Sequence, residues 1–208
     1  HPNLVKLGIN TLKLGFKAKL PLNGILKKTL FGHFCGGETL EECKHVAEKL
    51  RNFNVSIIYD YAVENKKTEQ EFQKVEAEIK KNIKFAHQEK CAFTVFKLTA
   101  VSSVSLLEKV SQDPKSLNSQ EQQEWKTLKK RVFTICEYAQ QHQVDVLIDA
   151  EESWIQQAID DITIEAMEKF NQQHPTVFIT LQMYRHDRLA FLKDLHQQAV
   201  AKNYKLGI

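Results

Sequence analysis

The stretch VDVLIDAEESW, residues 144–154, runs apolar side chains through Val144, Val146, Leu147 and Ile148 and then turns abruptly acidic. A short apolar run closed by turn-type residues reads as a strand buried on both faces, the kind found in parallel sheets. Parallel sheets carry their chemistry at the carboxyl ends of the strands, which puts Asp149 where function is expected. The plainer alternative is that Asp149 or Ser153 only caps the helix that follows.

Three more runs have the same build. NVSIIYDY ends in Asp60, CAFTVFKLTA carries Lys97 near its end, and TVFITLQMY (176–184) reaches Gln182. Helical periodicity fills the gaps. Thr39 and Glu42 form a capping-box pair ahead of Leu40, Cys43, Val46, Ala47 and Leu50, and Thr68 and Glu71 do the same ahead of Phe72, Val75, Ile79, Ile83 and Ala86. Further helices are expected near 103–111, 119–142, 155–172 and 187–202, with YKLGI starting another strand. Strand and helix alternate at βαβ spacing, so the fold class is α/β with a parallel sheet and right-handed crossovers. No glycine-rich strand-to-helix turn of the dinucleotide or P-loop type is present, which favours a (β/α)8 TIM-type barrel over an open nucleotide-binding sheet. The expected layout is a basic helical arm over 1–38 and the first half of a barrel over 39–208, cut near the start of strand five.

Composition narrows the function classes. Hydrophobic residues at 42% and charged residues at 26% describe a globular chain. The net charge of +3 is too small for a nucleic-acid binder, and it is local: His1–Gly37 holds six lysines and no acid, leaving the remainder net acidic. That lysine-rich arm reads as a solvated helix packing its leucines on the barrel, with peripheral contact to an anionic membrane as the functional alternative. Cys35, Cys43, Cys91 and Cys136 make no C-x-x-C pair, so neither a disulfide framework nor a zinc site is indicated, and usage is that of an intracellular protein. The histidines show no metal-binding spacing.

Asp60, Lys97, Asp149 and Gln182 each end a different apolar run, the pattern of a site built from several βα loops. A lysine within FTVFKLTA is costly to bury without a carboxylate, which Asp60 or Asp149 can supply from the flanking strands. The residues alone leave two chemistries open: charge recognition by Lys97, or a class I aldolase-like lyase using Lys97 as its Schiff-base amine. A non-catalytic half-barrel acting in assembly is a third reading.

FGHFCGGET, IIYDY, FKLTA, LIDAEES and LQMYRHDRL, in this order and at these spacings, resemble the proline dehydrogenase family over about residues 30–208. The resemblance implies an FAD-dependent barrel that oxidises L-proline to Δ1-pyrroline-5-carboxylate and passes electrons to a quinone. It implies that Lys97 binds the substrate carboxylate and Asp149 is the active-site aspartate. Asp60 would line the substrate site, the backbone of Ala150 would lie against the flavin, and Gln182 would hydrogen-bond the flavin ring. Glu151 and Glu152 are expected to face solvent or begin the next helix. The long 101–142 segment is similar to the mitochondrial-type members more than to the shorter bacterial ones. The expected location is intracellular: a bacterial cytoplasm or inner-membrane surface, or a mitochondrion if the source is eukaryotic. The family's later flavin-phosphate loops and carboxylate-clamping arginines would fall after Ile208, so this stretch is expected to be inactive alone.

Overall fold

The computed structural model describes residues 2–61, 63 and 66–208. Two compact units divide them, one through Val55 and the other Ser56–Ile208, a boundary later than the 38/39 division drawn from sequence.

The first unit is helical. It comprises α1 (Pro2–Lys17), α2 (Asn23–Leu26), a π-helical turn Lys27–Phe31, α3 (Gly32–Phe34) and α4 (Leu40–Arg51). Along α1, Lys6, Asn10, Lys13 and Lys17 recur at helical spacing and form one polar stripe, while Leu4, Leu7, Leu14 and Phe16 on the wider apolar face are exposed. The Thr39 hydroxyl caps α4 by accepting from Glu42 N–H at 3.2 Å; the Glu42 carboxylate reaches back to Glu38 N–H at 2.8 Å. The return arm of the expected capping box thus lands one residue earlier than Thr39. No helix among the described residues is long and apolar enough to cross a membrane.

The second unit alternates strand and helix: β1 (Tyr59–Asp60), α5 (Glu69–Gln88), β2 (Phe93–Phe96), α6 (Leu98–Val101), α7 (Val104–Gln112), a 3-10 turn Pro114–Ser116, α8 (Ser119–Gln141), β3 (Asp145–Ile148), α9 (Gln156–Phe170), β4 (Val177–Ile179) and α10 (Arg188–Ala201). The four strands pair parallel in the order β1-β2-β3-β4, so each strand lies beside its predecessor. This is the βα succession of a TIM-type barrel.

Helix starts follow the capping chemistry read from sequence. Thr68 and Glu71 close a full capping box at α5, and Asn118 and Glu121 close another at α8. Phe72, Val75, Ile79, Ile83 and Ala86 are buried along α5, as the periodicity requires. Strands alternate faces. Tyr59, Thr94, Phe96, Val146, Ile148, Val177 and Ile179 are buried on one face, whereas Phe93, Val95, Leu147 and Phe178 on the other stay partly exposed. The strands are therefore not buried on both faces. Val146, Ile148 and Ile179 are fully covered, whereas Phe178 belongs to the open face. There its ring meets Phe93 edge-on at 5.0 Å.

β1 is shorter than the apolar run promised. It lies at the sheet edge beside β2 alone, and Val55 and Ile58 next to it are exposed. YKLGI forms no strand, but it lies alongside β4: Ile179 N–H donates to Gly207 O at 3.1 Å. A Cβ at Gly207 would sit 2.4 Å from Val177 O, so glycine is what permits this approach.

At the amino ends of the strands one turn recurs. Lys90, Gln143 and Asn203 take positive φ after α5, α8 and α10. In each case the next N–H reaches back to an alanine carbonyl: Cys91 to Ala86, Val144 to Ala139 and Tyr204 to Ala199. These are Schellman-type helix ends. The α9-to-β4 turn is different. Fully buried Asn171 accepts from Thr176 and Val177 N–H through its side-chain oxygen and donates through its amide nitrogen to Val177 O and Lys205 O, all at 2.8–2.9 Å.

Candidate active site

Strand parity places the site. β2 and β3 pair from Phe93↔Asp145 to Phe96↔Ile148, and Asp149 N–H extends the ladder by donating to Phe96 O at 3.0 Å. Lys97 is still extended, so its side chain leaves on the same face as Val95, and that of Asp149 on the same face as Leu147. The two meet as an ion pair at 2.5 Å, partly screened from solvent. Asp149 thus supplies a carboxylate partner for the half-buried lysine. It does not cap α9, whose N-terminus has no side-chain cap.

Asp60 pairs with Val95 in the β1–β2 register and points to the same face, exposed at the strand end. Ala150 donates its N–H to the Asp149 carboxylate at 3.0 Å. β4 ends at Ile179, earlier than the apolar run, and the freed chain folds over in a turn closed by Arg185 N–H on Gln182 O at 2.9 Å. Gln182 comes to rest with its amide donating to Glu151 O at 2.9 Å.

An open cleft of about 540 Å³ lies over these strand ends, lined by Lys97, Glu151, Glu152, Ser153, Gln182, Tyr184 and Arg185. Of the sequence-derived residues, Lys97 and Gln182 form its wall, Asp149 and Ala150 adjoin it, and Asp60 lies outside the lining. No group of His, Cys, Asp and Glu among the described residues could hold a metal ion.

Glu151 overturns the expectation that it faces solvent. Its carboxylate accepts from Thr99 N–H at 3.1 Å and from the Thr99 hydroxyl. Its own N–H donates to Gln156 Oε1 at 2.8 Å. Burial pushes its carboxyl up from the ordinary value, against the Thr99 hydrogen bonds and the charge of Lys97. Behind it, Gln156 donates to Asp160 at 2.8 Å, and fully buried Asp160 pairs with Arg188 at 2.7 Å. Arg188 and Arg185 both grip Asp187, which their hydrogen bonds hold far below the usual carboxylate range. One polar chain therefore joins the β3 loop to the β4 loop. The sequence did carry a signal for Glu151: it stands in the same relation to Asp149 as Thr99 does to Lys97.

A model of the family described as Proline dehydrogenase matches residues 43–208. The chain belongs to the proline dehydrogenase family. The resemblance drawn from FKLTA, LIDAEES and LQMYRHDRL is borne out, and so is the barrel-type α/β fold. Among curated relatives, the carbapenem antibiotics biosynthesis protein CarD of Pectobacterium carotovorum subsp. carotovorum is 31% identical over 176 residues, 84% of this chain and 46% of that protein. Proline dehydrogenase 1, mitochondrial, of Dictyostelium discoideum is 29% identical over 234 residues, 94% of this chain and 41% of that one. The chain thus spans less than half the length of either of these relatives. Among solved structures, proline utilization A (PutA) from Bdellovibrio bacteriovorus, inactivated by N-propargylglycine, superposes with a TM-score of 0.72 at 18% identity. That match covers 88% of this chain and 20% of the other, and it is a likeness of fold.

Proposed function

We propose that the protein containing this chain oxidises L-proline to Δ1-pyrroline-5-carboxylate with FAD and hands the electrons to a quinone. The observation that carries the reading is the Lys97–Asp149 ion pair beside Gln182 at the strand ends of a proline dehydrogenase family fold. Lys97 offers a positive charge to the proline carboxylate. Asp149 orients that ammonium, and its other oxygen accepts the Ala150 N–H, which fixes the loop. Asp60, on the neighbouring strand and outside the cleft wall, faces the same side as Lys97 and borders the substrate position.

The donor set fits a flavin. A flavin ring edge alternates hydrogen-bond donors and acceptors, and an amide offers both. The amide of Gln182 is held at the cleft wall by Glu151 O, and Ala150, bonded through its N–H to Asp149, immediately precedes Glu151 of that wall. When bound, FAD supplies the two-electron acceptor; the residues here bind, orient and exclude water. Family membership argues against the Schiff-base lyase.

The same proposal takes residues 1–38 as a basic arm and 39–208 as half of the barrel. The lysine stripe and exposed apolar face of α1 fit peripheral contact with an anionic membrane, where a quinone acceptor resides. An intracellular location follows, mitochondrial if the source is eukaryotic. The test is to purify the intact protein and measure flavin absorbance and proline-dependent dye reduction. A colourless protein that binds no added FAD and reduces no dye would end the reading.

A further inference from the structure

The strand ladder between β2 and β3 does not stop where the backbone pairing stops. Phe96 pairs with Ile148, Lys97 with Asp149, and Thr99 with Glu151, all at a constant separation of 52 residues. Side chains continue as rungs the register that backbone bonds began. The upper rung is made by a carboxylate that is substantially buried, the costlier form of the group.

Glu151 touches more than that rung. Its carboxylate takes both donors of Thr99 in α6, the short helix that follows β2, its N–H goes to Gln156 at the start of α9, and its carbonyl takes the amide of Gln182 after β4. Three successive strand ends therefore meet on one residue. We propose that Glu151 is a positioning residue: it locks the mouths of β2, β3 and β4 together so that Lys97 and Gln182 keep a fixed separation across the cleft. The proposal deepens the functional reading above and rests on it for the identity of what the cleft holds.

The charged groups around Glu151 are Lys97 on the β2 side, Asp149 and Glu152 on its own loop, Asp160 behind Gln156 on α9, and Arg185 beyond Gln182. Burial raises the carboxyl, so folding disfavours its charged form. The penalty is present above the raised value and is relieved as pH falls through it. Glu151→Gln removes that penalty while keeping one acceptor for Thr99 N–H. A group kept only for stability would not behave in this way.

The test uses the intact protein with Glu151→Gln, Thr99→Val and the double variant. Expected are a proline KM raised roughly tenfold in each single variant, kcat within a few-fold, and a Tm at neutral pH that Glu151→Gln does not lower. The double variant should be no worse than the worse single one. A second readout needs no activity. In a Trp125→Phe background, emission of Trp154 in the same loop should titrate with a midpoint above the ordinary glutamate range, and Glu151→Gln should abolish that transition. An unchanged KM, additive losses, or a Tm that falls in step with KM would overturn the role. So would a Trp154 titration that survives Glu151→Gln. If the parent protein shows the Trp154 transition but oxidises no proline, the functional reading fails while the locking role stands.

Discussion

The two ends of the parallel strands are built by opposite means. At the amino ends, α5, α8 and α10 finish in the same backbone turn, each closed on an alanine carbonyl with a non-glycine residue in the left-handed region. At the carboxyl ends hardly any closure is local. Lys97 reaches Asp149, Thr99 reaches Glu151, Gln182 reaches the Glu151 carbonyl and Arg188 reaches Asp160. A backbone turn tolerates many side chains, because its bonds belong to the main chain. A mouth made of side-chain bonds depends on residue identity at each position. The structural end can therefore vary in sequence, and the end with the cleft cannot.

The comparison can be broken most severely at Arg188. Arg188→Leu leaves the Asp160 carboxylate fully buried without its cation, and chemical denaturation should show a loss of about 3–5 kcal/mol. A loss under 1 kcal/mol would mean the β4 loop is held by something else. Lys97→Met attacks the same end without touching the fold's core. It should leave flavin content intact while kcat/KM for proline drops by the equivalent of about 1.5–3 kcal/mol. Unchanged steady-state kinetics would remove Lys97 from the substrate site.

At the opposite end the effects should be smaller and confined to stability. Asn171→Ala strands the N–H groups of Thr176 and Val177 where the one side chain served both, costing about 2 kcal/mol by thermal or urea unfolding. The recurring turns should even improve. Gln143→Gly relieves left-handed strain at φ 56° and should gain about 0.5–1 kcal/mol after the entropy that glycine adds to the unfolded chain. Asn203→Gly should gain less, because asparagine visits that region readily. If Gln143→Gly destabilises instead, the turn depends on its side chain and the contrast between the two ends weakens.

What the sequence disclosed divides along the same line. Caps, apolar faces and the strand-end positions of Lys97 and Asp149 are patterns within a few residues, and they were readable, whereas Gln182 lies in the turn after β4 rather than at the strand end. Glu151 was read as a solvent-facing charge because its signal, the offset it shares with Thr99, shows only once Lys97 and Asp149 are known to pair, and nothing local marks Arg188 as the partner of Asp160. Asn171 was hidden for the same reason: its bonds run to Val177 and Lys205, and a lone asparagine after a helix reads as a plain terminator. Strand lengths were overread at β1, where only Tyr59–Asp60 pair at the sheet edge, and at β4, where the chain turns away after Ile179.

The equal spacing of the side-chain rungs also bears on the order in which the chain assembles. Each Schellman turn joins residues within one helix end and can close as soon as that helix forms, on a submicrosecond to microsecond scale. The rungs at 97–149 and 99–151 must first bring together segments 52 residues apart, with α7 and α8 between them. Such contacts carry the larger loop-closure entropy and come late. Unfolding takes the reverse course: amide exchange should begin at Thr99 and Glu151 while Cys91 and Val144 are still protected. The cleft is then the youngest part of the folded unit and the first to be lost.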